Sequence, residues 1–374
     1  MSVLTYDYAI IGGGLAGLSL AIQLQKIDLK VVLFEKETYP FHRVCGEYVS
    51  MESYDFIESL GVPLANLNLP QITNLNVSAP NGKIIKHKLD LGGFGISRFT
   101  IDLKLYEAAI KVGVTVFTNC LVTDLEGTLI KTTKGDYFAS KTIGSWGKRS
   151  KIDVKLKRSF LSPKNRNLND YVGVKYHVQA DLPANTIELH NFENGYCGIS
   201  KIEENKYCLC YLVHGSELKK AGGSIKLMEE NTLKKNPFLK EYFSSYPSLF
   251  EKPISISQIS FEKKSQMEKD IPMVGDAAGS IAPLCGNGMS MALHASKLLA
   301  KELEAHSKGQ KSFEKAILDY QIEWKLQFSK RLKMGRIIQS LFGKSSITNF
   351  FIGSVKHFPS LINTIVKQTH GKPF

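Results

Sequence analysis

The chain has 374 residues, 43% of them hydrophobic, enough to bury a large core divided between two interleaved domains, which excludes a disordered chain. Its formal net charge of +13 favours acidic partners such as nucleic acid, an anionic membrane surface or an acidic carrier protein, without choosing among them. The six cysteines (45, 120, 197, 208, 210 and 285) form no C-x-x-C pair and have no histidine at metal-ligand spacing, so neither a disulfide framework nor a zinc site is expected and reduced thiols in a cytoplasmic compartment are.

Tyr8 to Leu24 is apolar, but no Lys or Arg precedes it and three consecutive glycines interrupt it, which does not read as a signal peptide. No other apolar stretch approaches the ~20 residues of a spanning helix, so the chain is expected to be neither secreted nor integral to a membrane. Tyr6 to Ile11 reads as a strand, Leu15 to Gln25 as a helix and Val31 to Phe34 as a second buried strand, together one β-α-β unit. Gly12, Gly14 and Gly17 match G-x-G-x-x-G at the strand-to-helix turn, with Leu15 and Ala16 opening the helix. Bare backbone there can approach a pyrophosphate, and the helix N-terminus favours its charge. Glu35, followed by Lys36, ends the second strand 18 positions after Gly17, where a carboxylate can accept hydrogen bonds from both ribose hydroxyls of an adenosine. The two features agree on a dinucleotide.

Farther along, Ser97 to Lys111 reads as a helix, Val114 to Phe117 as a strand, and Thr128 to Ile143 as a hairpin turning at Lys134-Gly135-Asp136. From Tyr171 to Val213 the pattern becomes β-rich, with short Gly, Asn and Pro breaks, and is expected to form an antiparallel sheet under a substrate-facing domain. Near residue 271 the first pattern returns, with a helix from Met289 to Glu304. The expected division is a discontinuous cofactor domain over 1–64, 95–160 and 265–305, a substrate domain over 65–94 and 161–264, and a basic helical region over 306–374. From Trp324 onward there are nine Lys and Arg residues and no Asp or Glu. Two apolar stripes, Ile337, Ile338, Leu341 and Phe342, then Leu361, Ile362, Ile365 and Val366, suit a membrane surface, an acidic acyl-carrier protein, or packing over a substrate cavity. No nucleic-acid motif accompanies the charge.

The segment VGDAAGSIAPLCGNGMSMALHAS, residues 274–296, resembles the FAD-dependent family that includes aromatic hydroxylases, geranylgeranyl reductases and flavin-dependent halogenases. That resemblance implies an α/β fold: a Rossmann-like FAD-binding domain of glutathione-reductase type, an inserted antiparallel β-sheet substrate domain and a helical C-terminus. It implies that Gly275 and Asp276 hold the ribityl and phosphate part of FAD. Gly286, Asn287, Gly288 and Met289 would then set backbone N–H groups at the flavin pyrimidine edge, where a helix N-terminus stabilises reduced flavin. Arg98 and Asp102 match the family's helix that starts with an arginine reaching toward the FAD phosphates; a surface salt bridge is the competing reading. Arg43 holds the basic position before the Gly46-Glu47 turn and is either a partner for cofactor phosphate or a solvated loop residue.

VCGEYVS, residues 44–50, is most similar to the geranylgeranyl reductase branch, where the cysteine lies near the flavin. Cys45 is therefore a candidate catalytic thiol, set against the plainer role of a small core residue. Glu47 is expected to contact FAD or order its loop. Two departures stand out. The family's G-A-D-G segment appears as Gly144-Ser145-Trp146-Gly147, without its aspartate, which leaves NAD(P)H competing with a separate flavin reductase or ferredoxin as electron donor. The W-x-W-x-I-P signature of tryptophan halogenases is absent. Gly195-Tyr196-Cys197-Gly198 is similar to the substrate-lining segment of prenyl reductases but lacks its G-W-x-F-P core, so Tyr196 and Cys197 either face the substrate or belong to a plain strand, and Cys208 and Cys210 alternate onto one strand face and read as core. The resulting expectation is an FAD oxidoreductase without a metal, acting on a small apolar or aromatic substrate. Hydroxylation of an aromatic or polyketide-like molecule comes first. Ene reduction of an isoprenoid or carrier-bound alkene follows closely, then halogenation, with a non-catalytic escort protein as the contrasting class. The expected location is cytoplasmic, with peripheral contact at the inner membrane face.

Overall fold

The computed structural model describes residues 5–161, 170–341, 344–355 and 359–374. The strands are β1 (Thr5–Ile11), β2 (Val31–Phe34), β3 (Tyr48–Ser50), β4 (Gln71–Ser78), β5 (Ile84–Gly95), β6 (Thr115–Phe117), β7 (Val122–Glu126), β8 (Leu129–Thr132), β9 (Gly135–Gly144), β10 (Tyr171–Val178), β11 (Thr186–Phe192), β12 (Gly195–Lys201), β13 (Tyr207–His214), β14 (Ile254–Ile259), β15 (Met267–Glu268) and β16 (Ile271–Pro272). The helices are α1 (Leu15–Gln25), α2 (Tyr54–Ser59), α3 (Arg98–Lys111), α4 (Lys151–Lys155), α5 (Gly215–Lys220), α6 (Ile225–Asn231), α7 (Pro237–Ser245), α8 (Gly288–Ser307), α9 (Phe313–Leu341), α10 (Ser345–Val355) and α11 (Pro359–Thr369).

A six-stranded sheet runs β6-β2-β1-β9-β8-β7. Its first four strands are parallel, and β7 and β8 add an antiparallel edge. The fully apolar β2 is buried because helices and loops cover both faces of a parallel sheet. Helix α3 begins where the Ser97 hydroxyl accepts the Thr100 N–H at 3.1 Å, which satisfies one of the orphan donors of its first turn.

The larger sheet runs β14-β10-β13-β12-β11-β4-β5-β3. Every adjacent pair is antiparallel except β4 with β11, which are parallel. One face of its centre packs Val174, Cys197, Leu209 and Tyr211 against Met228, Leu239 and Tyr242 of α6 and α7. By the two-residue period of a strand, the opposite face carries Gly173, Lys175, His177, Cys208 and Cys210, and it lies against the 43–47 loop of the first layer. The two layers therefore meet at the segment that the sequence marks as chemical.

Candidate functional site

The glycine turn is shaped by close approach. Gly12 adopts φ +107 and donates its N–H to Phe34 O at 2.8 Å. A Cβ on Gly17 would fall onto the carbonyl oxygen of Gly12 and 2.7 Å from Ser145 Oγ, so β1, β9 and α1 meet at a separation that only glycine permits. A Cβ on Gly14 would meet nothing nearer than the Arg98 guanidinium at 3.7 Å, which leaves the start of α1 open. Leu15 and Ala16 are buried and fix the helix in the core.

Glu35 directly follows β2 with its side chain buried. It accepts the N–H groups of Gly13 at 2.9 Å and Glu37 at 3.0 Å, and pairs with Arg43 at 3.0 Å. Lys36 points away and pairs with Glu37 on the surface at 3.4 Å. Arg43 also reaches Asp102 at 3.1 Å, while Arg98 grips the same carboxylate through two bonds of 2.9 and 2.8 Å. Asp102 is 0% exposed, so the surface-salt-bridge alternative is set aside. Burial alone would lower the Arg98 pKa, but the Asp102 carboxylate reverses this and raises it, leaving a fixed cation beside Gly14.

Gly275, at φ +63, is wedged between helices: a Cβ there would lie 3.0 Å from Ala16 Cβ and 3.8 Å from Ala292 Cβ. The neighbouring Asp276 carbonyl accepts Lys264 Nζ at 2.8 Å, and among the described residues its carboxylate has no hydrogen-bond partner. Burial pushes the Lys264 pKa down to about 8. Gly286 takes φ +63 against the Tyr48 ring, where a Cβ would be 3.0 Å from a ring carbon. Asn287 is fully buried and donates to Glu52 at 2.5 Å, while its Oδ1 has no partner among the described residues. Gly288 and the buried Met289 then open α8.

Helices α1 and α8 are bound side by side, Ser19 Oγ to Ser296 Oγ at 2.5 Å, and neither has a side-chain cap on its N-terminal N–H groups. Two uncapped helix N-termini, the Arg98 cation, an open Gly14 and the orphaned polar atoms of Asn287 and Ser145 form a cradle suited to a long anionic cofactor. These residues fit FAD.

Cys45 is half-buried, and its carbonyl oxygen accepts the Cys208 thiol at 3.2 Å. Glu47 is fully buried at φ +55 and takes the Arg98 N–H at 2.8 Å, Lys175 Nζ at 2.5 Å and His177 Nε2 at 2.6 Å. Burial would raise the Glu47 pKa, but the His177 bond and the Lys175 charge bring it below the usual carboxylate range. Lys175 shows the mirror image: burial opposes its charge, and Glu47 holds it above the ordinary lysine value. With its carboxylate filled by protein donors, Glu47 ties the loop, α3 and β10 together. Glu47, His177 and Cys208 offer metal-binding atoms within 4.8 Å of one another, but the Lys175 ammonium already supplies the cation in that space.

Cys208 is buried, as expected of a core residue, while Cys210 is half-buried. They turn toward the 43–47 loop, away from the core cluster that holds Leu209 and Tyr211, and burial pushes the Cys210 thiol up to about 12. Tyr196 joins Leu212, Ile259, Phe261 and Leu284, so it faces the 284–289 segment, whereas Cys197 belongs to the opposite core. The reading of the sequence missed Lys175, His177, Glu52, Lys264 and also Tyr39, whose hydroxyl bonds the Gly13 carbonyl. A signal for Lys175 and His177 was present: two cationic residue types two apart on one face of an otherwise apolar strand.

A cavity of about 760 Å³ is lined by Tyr48, Leu89, His294, Arg331, Val366 and Phe374, among others. The Tyr48 ring also packs against Gly286, two residues before α8. Of the two C-terminal apolar stripes, that of α11 has Ile365 on the core and Val366 on the cavity, and the Leu361 side chain lies outside what is described. That of α9 splits, Ile338 buried and Ile337 exposed, and Phe342 lies outside the described residues.

The family model of an NAD(P)-binding Rossmann-like domain matches residues 10–46. The chain is 25% identical over 378 residues to Conditioned medium factor receptor 1 of Dictyostelium discoideum, covering 90% of this chain and 70% of that protein. It is also 25% identical over 363 residues to a digeranylgeranylglycerophospholipid reductase of Methanococcus vannielii, covering 90% of this chain and 87% of the other. A solved geranylgeranyl bacteriochlorophyll reductase-like protein of Thermoplasma acidophilum superposes with a TM-score of 0.79 at 16% identity, covering 98% of this chain and 96% of that one. The chain thus carries a Rossmann-like nucleotide-binding segment and has the fold shared by flavin-dependent halogenases, geranylgeranyl reductase-like proteins and FAD-dependent monooxygenases.

Proposed function

We propose that this chain is an FAD-dependent oxidoreductase that saturates a carbon–carbon double bond in an apolar, isoprenoid-like substrate, with NAD(P)H as the source of electrons. Gly14, the start of α1 that the packing of Gly12 and Gly17 positions, and Arg98 would hold the cofactor phosphates, Glu35 the adenosine ribose, Gly275 and Asp276 the ribityl chain, and residues 286–289 the flavin ring. When bound and reduced, FAD supplies a hydride.

The observation that carries ene reduction ahead of hydroxylation is the placement of Cys45. Its loop is pinned on one side by Arg43 on Glu35 and Asp102, on the other by Glu47 on Lys175 and His177, and at Cys45 itself by the Cys208 thiol. The thiol carried by so fixed a backbone would pass its S–H proton to one alkene carbon while the neighbouring carbon takes the hydride. The thiolate then regains a proton from solvent, and the substrate gains two hydrogen atoms. The relative named as a digeranylgeranylglycerophospholipid reductase, similar along 90% of this chain, supports the same choice.

The test is anaerobic incubation of the reduced holoprotein with prenyl alkenes, read by product mass. Uptake of two hydrogen atoms without oxygen is expected. Cys45→Ala should slow turnover roughly a hundredfold while leaving FAD content unchanged. A product that gains one oxygen atom, and forms only in air, would establish hydroxylation instead.

A further inference from the structure

The solvent-facing side of α9 is neither polar nor closed. Leu318, Ile322, Leu326 and Ile337 are exposed along it, Leu326 to 70%, and they share one sector of the helix with Lys325, Lys333 and Arg336, Lys330 lying at its edge. The next helix, α10, continues the pattern with exposed Ile347 and with Phe350, 78% exposed, while Lys83 Nζ approaches Gly353. Beside the start of α10 the Glu193 carboxylate accepts the Ser345 hydroxyl, and the other acidic groups near this face lie toward the start of α9. Asp319 is neutralised there by Lys311 at 3.0 Å and Lys315 at 2.8 Å, Glu323 is half-buried, and no Asp or Glu follows it.

We infer that this face of α9 and α10 docks on an anionic lipid bilayer. Interleaved lysines and large apolar side chains are what an interfacial helix needs, the apolar groups entering the acyl boundary and the ammonium groups meeting lipid phosphates. Leu318 and Ile337 are separated by about 29 Å along the helix, a length that suits a planar surface better than the small contact face of a folded acidic carrier protein. The charge points the same way, since the second half of α9 carries only cationic residues among its charged ones. No helix among the described residues is long and apolar enough to cross a membrane, so the contact is peripheral. The inner side of α9 supplies Arg331 to the large cavity, so the docking face and the cavity share one helix.

The experiment is co-sedimentation of the full-length, FAD-loaded protein with vesicles of phosphatidylcholine, with and without phosphatidylglycerol. Binding to the phosphatidylglycerol vesicles is expected, with loss at high salt because these charges are exposed. The combined variant Lys330→Gln, Lys333→Gln and Arg336→Gln should lower the partition coefficient roughly a hundredfold, and Phe350→Ser alone roughly tenfold. Flavin content serves as the check that each variant is folded. Equal binding to both vesicle types, no binding to either, or unchanged binding by the folded triple variant would each overturn the proposal. Capture by an acidic carrier protein in place of vesicles would do so as well.

Discussion

Gly17→Ala is expected to abolish stoichiometric FAD binding. The added methyl would fall on the Gly12 carbonyl and 2.7 Å from Ser145 Oγ, and a backbone oxygen cannot rotate aside as a flexible side chain can. Relief requires α1 to move away from β1 and β9, which costs about 1–3 kcal/mol as overpacking and displaces the uncapped N–H groups at the start of α1. FAD affinity should fall on the order of a hundredfold or more, since several charge-assisted contacts shift together. Gly14→Ala separates the two effects. Gly14 has φ −84, and its added methyl would meet only Arg98 at 3.7 Å, so stability should be unchanged while affinity drops because the methyl enters the space left for the cofactor. Urea denaturation and flavin titration of both variants check the pair; equal behaviour would contradict the assignment of Gly17 to packing and Gly14 to ligand approach.

Glu47→Ala should be the most destabilising single substitution near the site, by about 3–5 kcal/mol, because it strands the buried Lys175 ammonium. The Lys175 side chain is 0% exposed and loses its partner at 2.5 Å, while the Arg98 N–H loses its acceptor at 2.8 Å. Glu47→Ala combined with Lys175→Met should recover most of the loss, since the stranded charge is then gone. The pH dependence follows from the directions of the two pKa shifts. Glu47 is lowered from 4.5, so its contribution is fully present above that value and is lost as pH falls through the folded-state pKa. Lys175 is raised from 10.5, so its contribution is complete below that value and is lost as pH rises through its own folded-state pKa. Wild type should therefore lose more stability in acid than the double variant, measured as denaturation midpoints across the acid range. A double variant no more stable than Glu47→Ala would refute the stranded-charge explanation.

Much of the first layer was legible because its signals are local. The strand–glycine–helix turn, the full extent of α1 and the Ser97 start of α3 all follow from residues within a few positions of one another. The Arg98–Asp102 pair was visible as an i,i+4 spacing, but its burial was not, because that depends on Arg43 arriving from 59 positions away. Lys175 was hidden for the same reason: its partner Glu47 is 128 positions distant. Strand alternation placed Cys208 and Cys210 on a common face, yet alternation cannot say which face meets the helices and which meets the neighbouring layer. The parallel pairing of β4 with β11 joins segments on either side of the first layer's middle strands, and no turn chemistry announces it. The α9 stripe failed as a single apolar surface because Ile337 and Ile338 lie about 100° apart on a helix, which buries one and exposes the other.

The proposed function rests on the starts of α1 and α8, Arg98 and Asp276 forming one cradle for FAD. The most direct measurement is the visible absorption spectrum of the purified protein, followed by titration with FAD after the cofactor has been stripped. Flavin bands at one equivalent per chain are expected, restored by added FAD and weakened by Arg98→Ala. A colourless protein that takes up no added FAD would contradict that assignment.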